Sequence, residues 1–348
     1  MSKAFLILIA LLMALSPCSA LEKLHVSGRR ILTESGREVR LRGVSFGWWV
    51  TPVDESDFAR AKALGCNYIR LAFTYKEIEE SPGVITGKSL KWLDDRMNWA
   101  EKQGLWVVPE MHIVPGGQMW SDWCEGGKNL MWTTPQDQDR LIAQWKAVAR
   151  HFSGRAVIAA YEPMNEPALP NGVTEKDYRN LNERIIKAIR QVDRITPIAI
   201  DCTDTGGPTG MAKLLPLDDP QIIYSFHFYF PYEVTHQGQA YPQKDFKGGK
   251  LDKALLEEQV RPAIEFEKRV AGPIWLGEFG IGARPNDSIR WLEDVVSLAE
   301  KHNWHWGVWN FKEDTGPGSM ALYVRDPKGP GYIPQPVLVD FLKRHANP

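Results

Sequence analysis

Apolar residues along the chain fall into short runs, separated by longer stretches that are amphipathic with helical spacing. Strand-like runs lie at 41–46, 68–73, 106–112, 157–161, 197–200, 222–229, 274–279 and 305–311. Helical periodicity marks 55–64, 90–103, 136–151, 175–192, 253–269 and 288–301, and a last helix at 336–345 closes the chain. Ahead of the first run, residues 24–41 alternate apolar and polar around Ser27-Gly28 and Ser35-Gly36, the pattern of a β-hairpin.

Repeated strand–helix units imply a parallel sheet. Eight of them in a chain of 348 residues predict an α/β fold, a (β/α)8 TIM barrel with a short N-terminal β-hairpin. An open doubly wound sheet is the rival. Against it, no Gly-x-Gly-x-x-Gly follows the first run, and there is no Walker-type loop. No internal repeat or low-complexity linker divides the chain, so residues 21–348 read as one domain.

The first twenty residues have a different pattern. Lys3 precedes an unbroken apolar run at 5–15, followed by Ser16-Pro17-Cys18-Ser19-Ala20. The run is short for a bilayer span, and the small residues suit cleavage. Residues 1–20 are therefore expected to be a signal peptide cut near Ala20, leaving a secreted protein, extracellular or periplasmic. An uncleaved anchor is the alternative, and Pro17 argues against lipid attachment at Cys18. No later segment has the length or apolarity to cross a membrane. Removing the signal leaves Cys66, Cys124 and Cys202, enough for at most one internal disulfide. With no Cys-x-x-Cys pair, no zinc or other metal site is expected.

Composition narrows the class further. Hydrophobic residues at 43% and charged residues at 24% are ordinary for a soluble globular protein. The net charge of −1, with no basic block, points away from nucleic acid. The chain is expected to work as a monomer. Fourteen tryptophans are many for this length, and several fall in loops, where core packing does not account for them.

In a barrel of this type, polar groups at the C-terminal ends of the strands build the active site. Read in order, the strand ends carry Arg70, His112, Asn165-Glu166, His227 with Tyr229, Glu278, and Trp309. Two of these are glutamates that close apolar runs, in Tyr161-Glu162-Pro163-Met164-Asn165-Glu166-Pro167 and Trp275-Leu276-Gly277-Glu278-Phe279-Gly280. A carboxylate at the end of a buried strand is costly without a task or a partner. Two of them facing one another suit an acid/base and a nucleophile, roughly 5–5.5 Å apart in a retaining glycosidase. Arg70 is placed to hold Glu278 ionised, Asn165 to donate to a sugar 2-hydroxyl, and Trp309 to floor a sugar ring. Taken singly, each reads as an ion-pair partner, a cap or a core aromatic; their joint occurrence points to a site.

On these motifs the chain resembles glycoside hydrolase family 5, the cellulase-type family whose catalytic glutamates follow strands four and seven. The resemblance runs from the hairpin to Trp309, and the Asn165-Glu166-Pro167 triplet is its most specific part. It implies Glu166 as acid/base and Glu278 as nucleophile. Arg70, His112, Asn165, His227, Tyr229 and Trp309 match the remaining family positions, and no cofactor is implied. One departure is Glu110, where many members carry Asp two residues before the histidine; it is expected to sit behind His112. Three loop tryptophans, Trp120, Trp123 and Trp132, lie in the long segment 113–134, which is expected to wall the cleft and stack sugars. Trp48 after the first strand and His236 after the sixth are further substrate-binding candidates.

The expected activity is that of a secreted retaining β-glycosidase acting on β-1,4-linked polysaccharide or oligosaccharide, an endo-β-1,4-glucanase in the first instance. A β-mannanase or an exo-acting β-glucosidase or β-mannosidase is the alternative; so long a loop also suits closing off subsites, which favours short oligosaccharides. A binding protein without catalysis would need neither glutamate. A metal-dependent hydrolase built on His112 and His227 lacks a His-x-His pair.

Overall fold

Among the described residues, seven strands form one curled parallel sheet whose two edges are Trp106–Ile113 and Ile198–Asp201. The seven are Arg42–Phe46, Tyr68–Thr74, Trp106–Ile113, Ile198–Asp201, Ile222–Phe228, Ile274–Phe279 and His305–Val308. The computed structural model describes residues 20–47, 51–284 and 287–347. The expected signal segment, apart from Ala20, and Trp48 lie outside the described residues.

The fourth barrel position differs from expectation. Residues 157–162 do not form a regular strand, yet they close the barrel. Isolated bridges join Val107 to Ile158 and Glu110 to Glu162 on one side, and Tyr161 to Ile198 on the other. Backbone bonds from Ala159 N to Val107 O (2.8 Å) and from Tyr161 N to Pro197 O (2.9 Å) hold both edges. Strict alternation fails here because Ala159 and Ala160 both join the core inside the barrel, while Val157, Ile158 and Tyr161 join the outer one.

Two apolar layers result. The larger lies between the sheet and the surrounding helices. The smaller fills the barrel from below and includes Leu24, Val26, Ile31, Val39, Tyr68, Trp106 and Trp275. The N-terminal segment is a three-stranded meander, Leu24–Ser27, Arg30–Thr33 and Glu38–Val39, rather than a simple hairpin. It plugs the bottom of the barrel, held by Val26 N to Gln221 Oε1 at 2.7 Å and by Gln221 Nε2 to Val26 O at 3.0 Å. Tyr68 crosses the interior. A Cβ on Gly307 would lie 2.3 Å from its hydroxyl, and one on Gly43 2.7 Å from its ring, so both positions need glycine. With the lower mouth plugged, the open end is the one where the strands finish.

Helices follow where the periodicity places them. Thr174 caps Glu175–Arg190 in a reciprocal box with Asp177. The buried face of that helix includes Tyr178, Leu181, Asn182, Ile185, Ile186 and Ile189, the spacing of one helical stripe. The stretch expected as one helix at 253–269 is two, Lys253–Gln259 and Arg261–Arg269. Pro262 explains the break, since it has no N–H for the carbonyl one turn back. A short helix at Pro208–Lys213, a ribbon at 243–251 and a small sheet at 312–334 lie outside the elements that the periodicity marks. Among the described residues no helix is long and apolar enough to cross a membrane.

Candidate active site

Strand alternation carries most of the site into the barrel. On the second strand Tyr68 belongs to the lower core, and Arg70, two residues on, rises above it. Arg70 is thus mid-strand rather than at a strand end, and fully buried. On the third strand Trp106 and Val108 are core, and Glu110 and His112 continue the same face. On the sixth, Ile223 is core, followed by Ser225 and His227, with Tyr229 just past the strand.

Glu278 breaks this rule. Trp275 points into the barrel and Leu276 out of it, so plain alternation would turn residue 278 outward. The register shifts between Leu276 and Glu278, which brings Glu278 opposite His227 and leaves Phe279 in the outer core. This bulge at Gly277 re-aims the carboxylate inward. A Cβ at Gly277 would meet Ser225 Oγ at 2.7 Å and His227 Nε2 at 3.2 Å.

Arg70 is the hub. Its guanidinium donates bidentately to Glu162 (Nε to Oε2 and Nη2 to Oε1, both 2.7 Å). Nη1 donates to Glu278 Oε1, and Nη2 to Asn165 Oδ1 at 2.9 Å. Glu110 lies 3.6 Å from Nη2 and 3.0 Å from His112 Nδ1, behind the histidine as expected. A guanidinium suits this task, because its donors fan out in a plane and its charge is permanent.

Glu166 arrives from the segment after the fourth barrel position. Its backbone is left-handed (φ 43°), an unusual state for a residue with a side chain. The amide of Glu166 donates to Asp201 Oδ2 at 3.0 Å. Its carboxylate meets His227, Oε1 to Nδ1, at 2.8 Å, and its side chain keeps 17% exposure. His227 Nδ1 is also 3.6 Å from Glu278 Oε2. One carboxylate oxygen from each glutamate and a His227 nitrogen all lie within 4.8 Å of one another.

The two glutamates are pushed apart electrostatically. Burial raises the pKa of Glu166, and the Glu278 charge adds to this against the opposing pull of His227. Burial would also raise Glu278. There His227, Arg70, His112 and the Tyr229 hydroxyl overcome it and hold the group down at about 2. The Tyr229 hydroxyl donates to Glu278 Oε2 at 2.8 Å, and burial with the Glu278 charge keeps that phenol protonated. Burial disfavours the His227 cation, but Glu278, Asp201 and Glu166 outweigh it and raise that group to about 10. One carboxyl that readily keeps a proton beside one that stays ionised is the pairing that acid and nucleophile roles require. Glu162, Asp201 and His227 also have the spacing of a ligand set for a metal ion, as do Glu166, His227 and Glu278. Arg70 already brings positive charge to Glu162 and Glu278.

Arg70, His112, Asn165, Glu166, His227, Tyr229 and Glu278 therefore converge. Trp309 follows the eighth strand and stacks on His112, ring centroids 5.3 Å apart. Trp123 lies at the same distance on the same histidine and is 38% exposed. Trp120 is 57% exposed on the same loop. Trp132 does not fit its expected role. It is buried at 8%, its Nε1 donates to Gln118 O, and its ring packs edge-on against Tyr178, so it holds the loop down. His236 is exposed and stacks on Tyr232 at 4.2 Å, with Tyr229 at 5.4 Å, one ring removed from the carboxylates.

Sequence reasoning missed Glu162 and Asp201. Glu162 lies in the same motif as Glu166, four residues before it. Asp201 is the last residue of the fifth strand, Ile198–Asp201, one residue past the apolar run at 197–200. A strand end with a carboxylate was the available signal.

The cellulase family, described as glycosyl hydrolase family 5, matches residues 32–315. Endoglucanase C of Acetivibrio thermocellus is 28% identical over 335 residues, covering 80% of this chain and 96% of that protein. A β-xylosidase of Phanerodontia chrysosporium is 26% identical, covering 87% of this chain and 73% of that one. The structure of Thermotoga maritima Cel5A in complex with cellobiose superimposes with a TM-score of 0.70 at 25% identity, covering 87% of this chain and 97% of that one.

Proposed function

The chain belongs to the cellulase family, glycosyl hydrolase family 5, and on that premise we propose that it is a secreted, retaining endo-β-1,4-glucanase. Glycoside hydrolysis is the activity of the family, and retention of configuration is characteristic of it. In the proposed reaction Glu278 attacks the anomeric carbon while Glu166 gives its proton to the leaving oxygen. Water then enters, Glu166 takes a proton from it, and the glycosyl–Glu278 bond breaks.

The observation that carries this reading is the approach of the two carboxylates, within 4.8 Å oxygen to oxygen, with His227 between them. Inverting enzymes hold their carboxyl groups roughly 6.5–9.5 Å apart to admit a water, whereas retaining ones hold them at roughly 5–5.5 Å. Arg70 and Tyr229 keep Glu278 ionised and aimed. Asn165, its carbonyl oxygen fixed by Arg70, holds its amide nitrogen 3.4 Å from His112 Nε2. Trp309, Trp123 and Trp120 offer aromatic surface for pyranose faces. The match to the endoglucanase relative spans 96% of that protein and supports a glucan as substrate.

Export rests on the apolar run at 5–15 and the small residues at Ser19-Ala20. N-terminal sequencing of protein recovered outside the cytoplasm checks it: a start near Leu21 supports cleavage, and an intact Met1 overturns it.

The deciding experiment for the substrate is a product profile on carboxymethylcellulose, mixed-linkage glucan, xyloglucan, mannan and cello-oligosaccharides. A rapid viscosity drop on a β-1,4-glucan is expected. A preference for mannan makes the protein a β-mannanase. Activity confined to short oligosaccharides or aryl glycosides makes it an exo-acting β-glycosidase.

A further inference from the structure

Asp201 sits under the acid/base without touching the space where a substrate would lie. It ends the fifth strand and is buried, paired in register with Ser225. One oxygen, Oδ2, accepts the amide of Glu166 at 3.0 Å and stands 3.4 Å from His227 Nε2. The other, Oδ1, has no hydrogen-bond partner among the described residues. A single backbone amide needs only a hydroxyl or an amide oxygen as acceptor. A fully buried carboxylate in that role calls for a positive group beside it, and the neighbour is His227.

The same amide bond holds a strained element. Glu166 is in the left-handed region, a conformation of raised energy for a residue with a Cβ. Asp204, Thr205 and Gly206 are left-handed as well, and the Thr205 amide donates to Pro167 O at 3.3 Å. Gly206 packs against both His227 and Glu166; a Cβ there would be 3.1 Å from His227 Nδ1. Asp201 is thus bonded to the backbone of Glu166 and stands at the far nitrogen of the imidazole that grips the Glu166 carboxylate.

We propose that Asp201 is a positioning residue for the acid/base, fixing Glu166 from behind through its amide and through the His227 ring. This rests on the reading of Glu166 as acid/base. His227 Nδ1 faces Glu166 and Glu278; Nε2 faces Asp201, with Glu162 in the same cluster and the Ser225 hydroxyl nearby. Nε2 makes no hydrogen bond among the described residues; Asp201 Oδ2, 3.4 Å away, acts on it as a neighbouring charge that favours its proton, and Nδ1–H is then the hydrogen donated to Glu166. Without that charge, the ring is free to lose a proton or to exchange its tautomer, and the Glu166 carboxyl loses its orientation.

The test is Asp201→Asn, which keeps an oxygen for the Glu166 amide but removes the charge. kcat/KM is measured on a cello-oligosaccharide and on an aryl cellobioside with a good leaving group, beside Glu166→Ala. General acid catalysis contributes roughly 10²–10⁴-fold. Asp201→Asn is expected to lose about tenfold or more of this on the oligosaccharide, to change little on the activated aryl substrate, and to move the alkaline limb of the pH profile. Equal losses on both substrates, or no loss, overturn the proposal. If Glu166→Ala itself shows no leaving-group dependence, the acid/base reading fails instead. Should Asp201→Asn fail to fold, NMR of the imidazole nitrogens in the unaltered enzyme decides. His227 protonated on both nitrogens well above the ordinary histidine range of about 6.5 supports the proposal, and a neutral ring at neutral pH overturns it.

Discussion

Tyr229 donates its phenolic hydrogen to Glu278 Oε2 across 2.8 Å, from the residue just past the end of the neighbouring strand. The bond stabilises the ionised carboxylate in a buried setting. Hydrogen bonds to charged groups contribute about 1.5–3 kcal/mol. Tyr229→Phe is expected to lower kcat/KM by roughly 10- to 100-fold, with the acid limb of the pH profile moved to higher pH because Glu278 becomes easier to protonate. An unchanged acid limb would show that Arg70 and His227 hold the charge without the phenol.

Glu278→Ala is expected to remove turnover on every substrate while the protein still folds, since Arg70 retains its two bonds to Glu162. Glu166→Ala should lose on the order of 10²–10⁴-fold on poor leaving groups and far less on activated aryl glycosides. Steady-state kinetics on both substrate types, with circular dichroism as the folding check, separates the two roles. NMR of the first product should show retained configuration.

Arg70 carries structure as well as chemistry. Removing its guanidinium leaves Glu110, Glu162 and Glu278 facing one another in the barrel interior. Breaking a buried ion pair from one side costs about 3–5 kcal/mol, and Arg70→Ala is expected to lose at least that in denaturant titration. Arg70→Lys should recover part of the stability but little activity, because one ammonium cannot serve Glu162 bidentately and also reach Glu278 and Asn165.

Acid lability is expected to come in part from His305, far from the cleft. Burial, reinforced by Arg40 and Arg42, keeps its ring neutral down to about pH 3. Its Nδ1 accepts the amide of Leu41 at 3.0 Å. Below the unfolded value of 6.5 the unfolded chain binds a proton that the folded one refuses, so stability falls as pH drops from 6.5 towards 3. The slope from this one group reaches at most about 1.4 kcal/mol per pH unit. His305→Gln, which keeps an acceptor, should flatten the pH dependence of urea unfolding across that window. His227 acts in the opposite sense: its contribution is complete below 6.5 and is lost as pH rises towards 10.

Two tryptophans of one loop should behave in opposite ways. Trp120→Ala is expected to raise KM for longer oligosaccharides several-fold and leave the melting temperature unchanged, since the ring is exposed. Trp132→Ala should cost about 3–5 kcal/mol, the usual range for emptying a buried tryptophan site. A rise in KM at constant stability for Trp132→Ala would return it to the cleft.

The sequence by itself determined the strand–helix alternation, the barrel, and seven of the groups that meet in its mouth. It did so because helix and strand periods are local, and because a polar residue ending an apolar run is visible one residue at a time. Departures arose where neighbours in space override the local period. Glu278 faces inward through a register shift against the sixth strand, which no pattern along its own strand announces. The fourth barrel position is held by bonds to both flanking strands rather than by its own alternation. Trp120 and Trp132 look alike in sequence and differ only because the fold of the loop leaves one exposed and turns the other against Tyr178. Asp201 and Glu162 gain meaning only from the amide, the guanidinium and the imidazole beside them. Those partners are 26 to 92 residues away along the chain, and only the closed barrel brings them within a few ångströms.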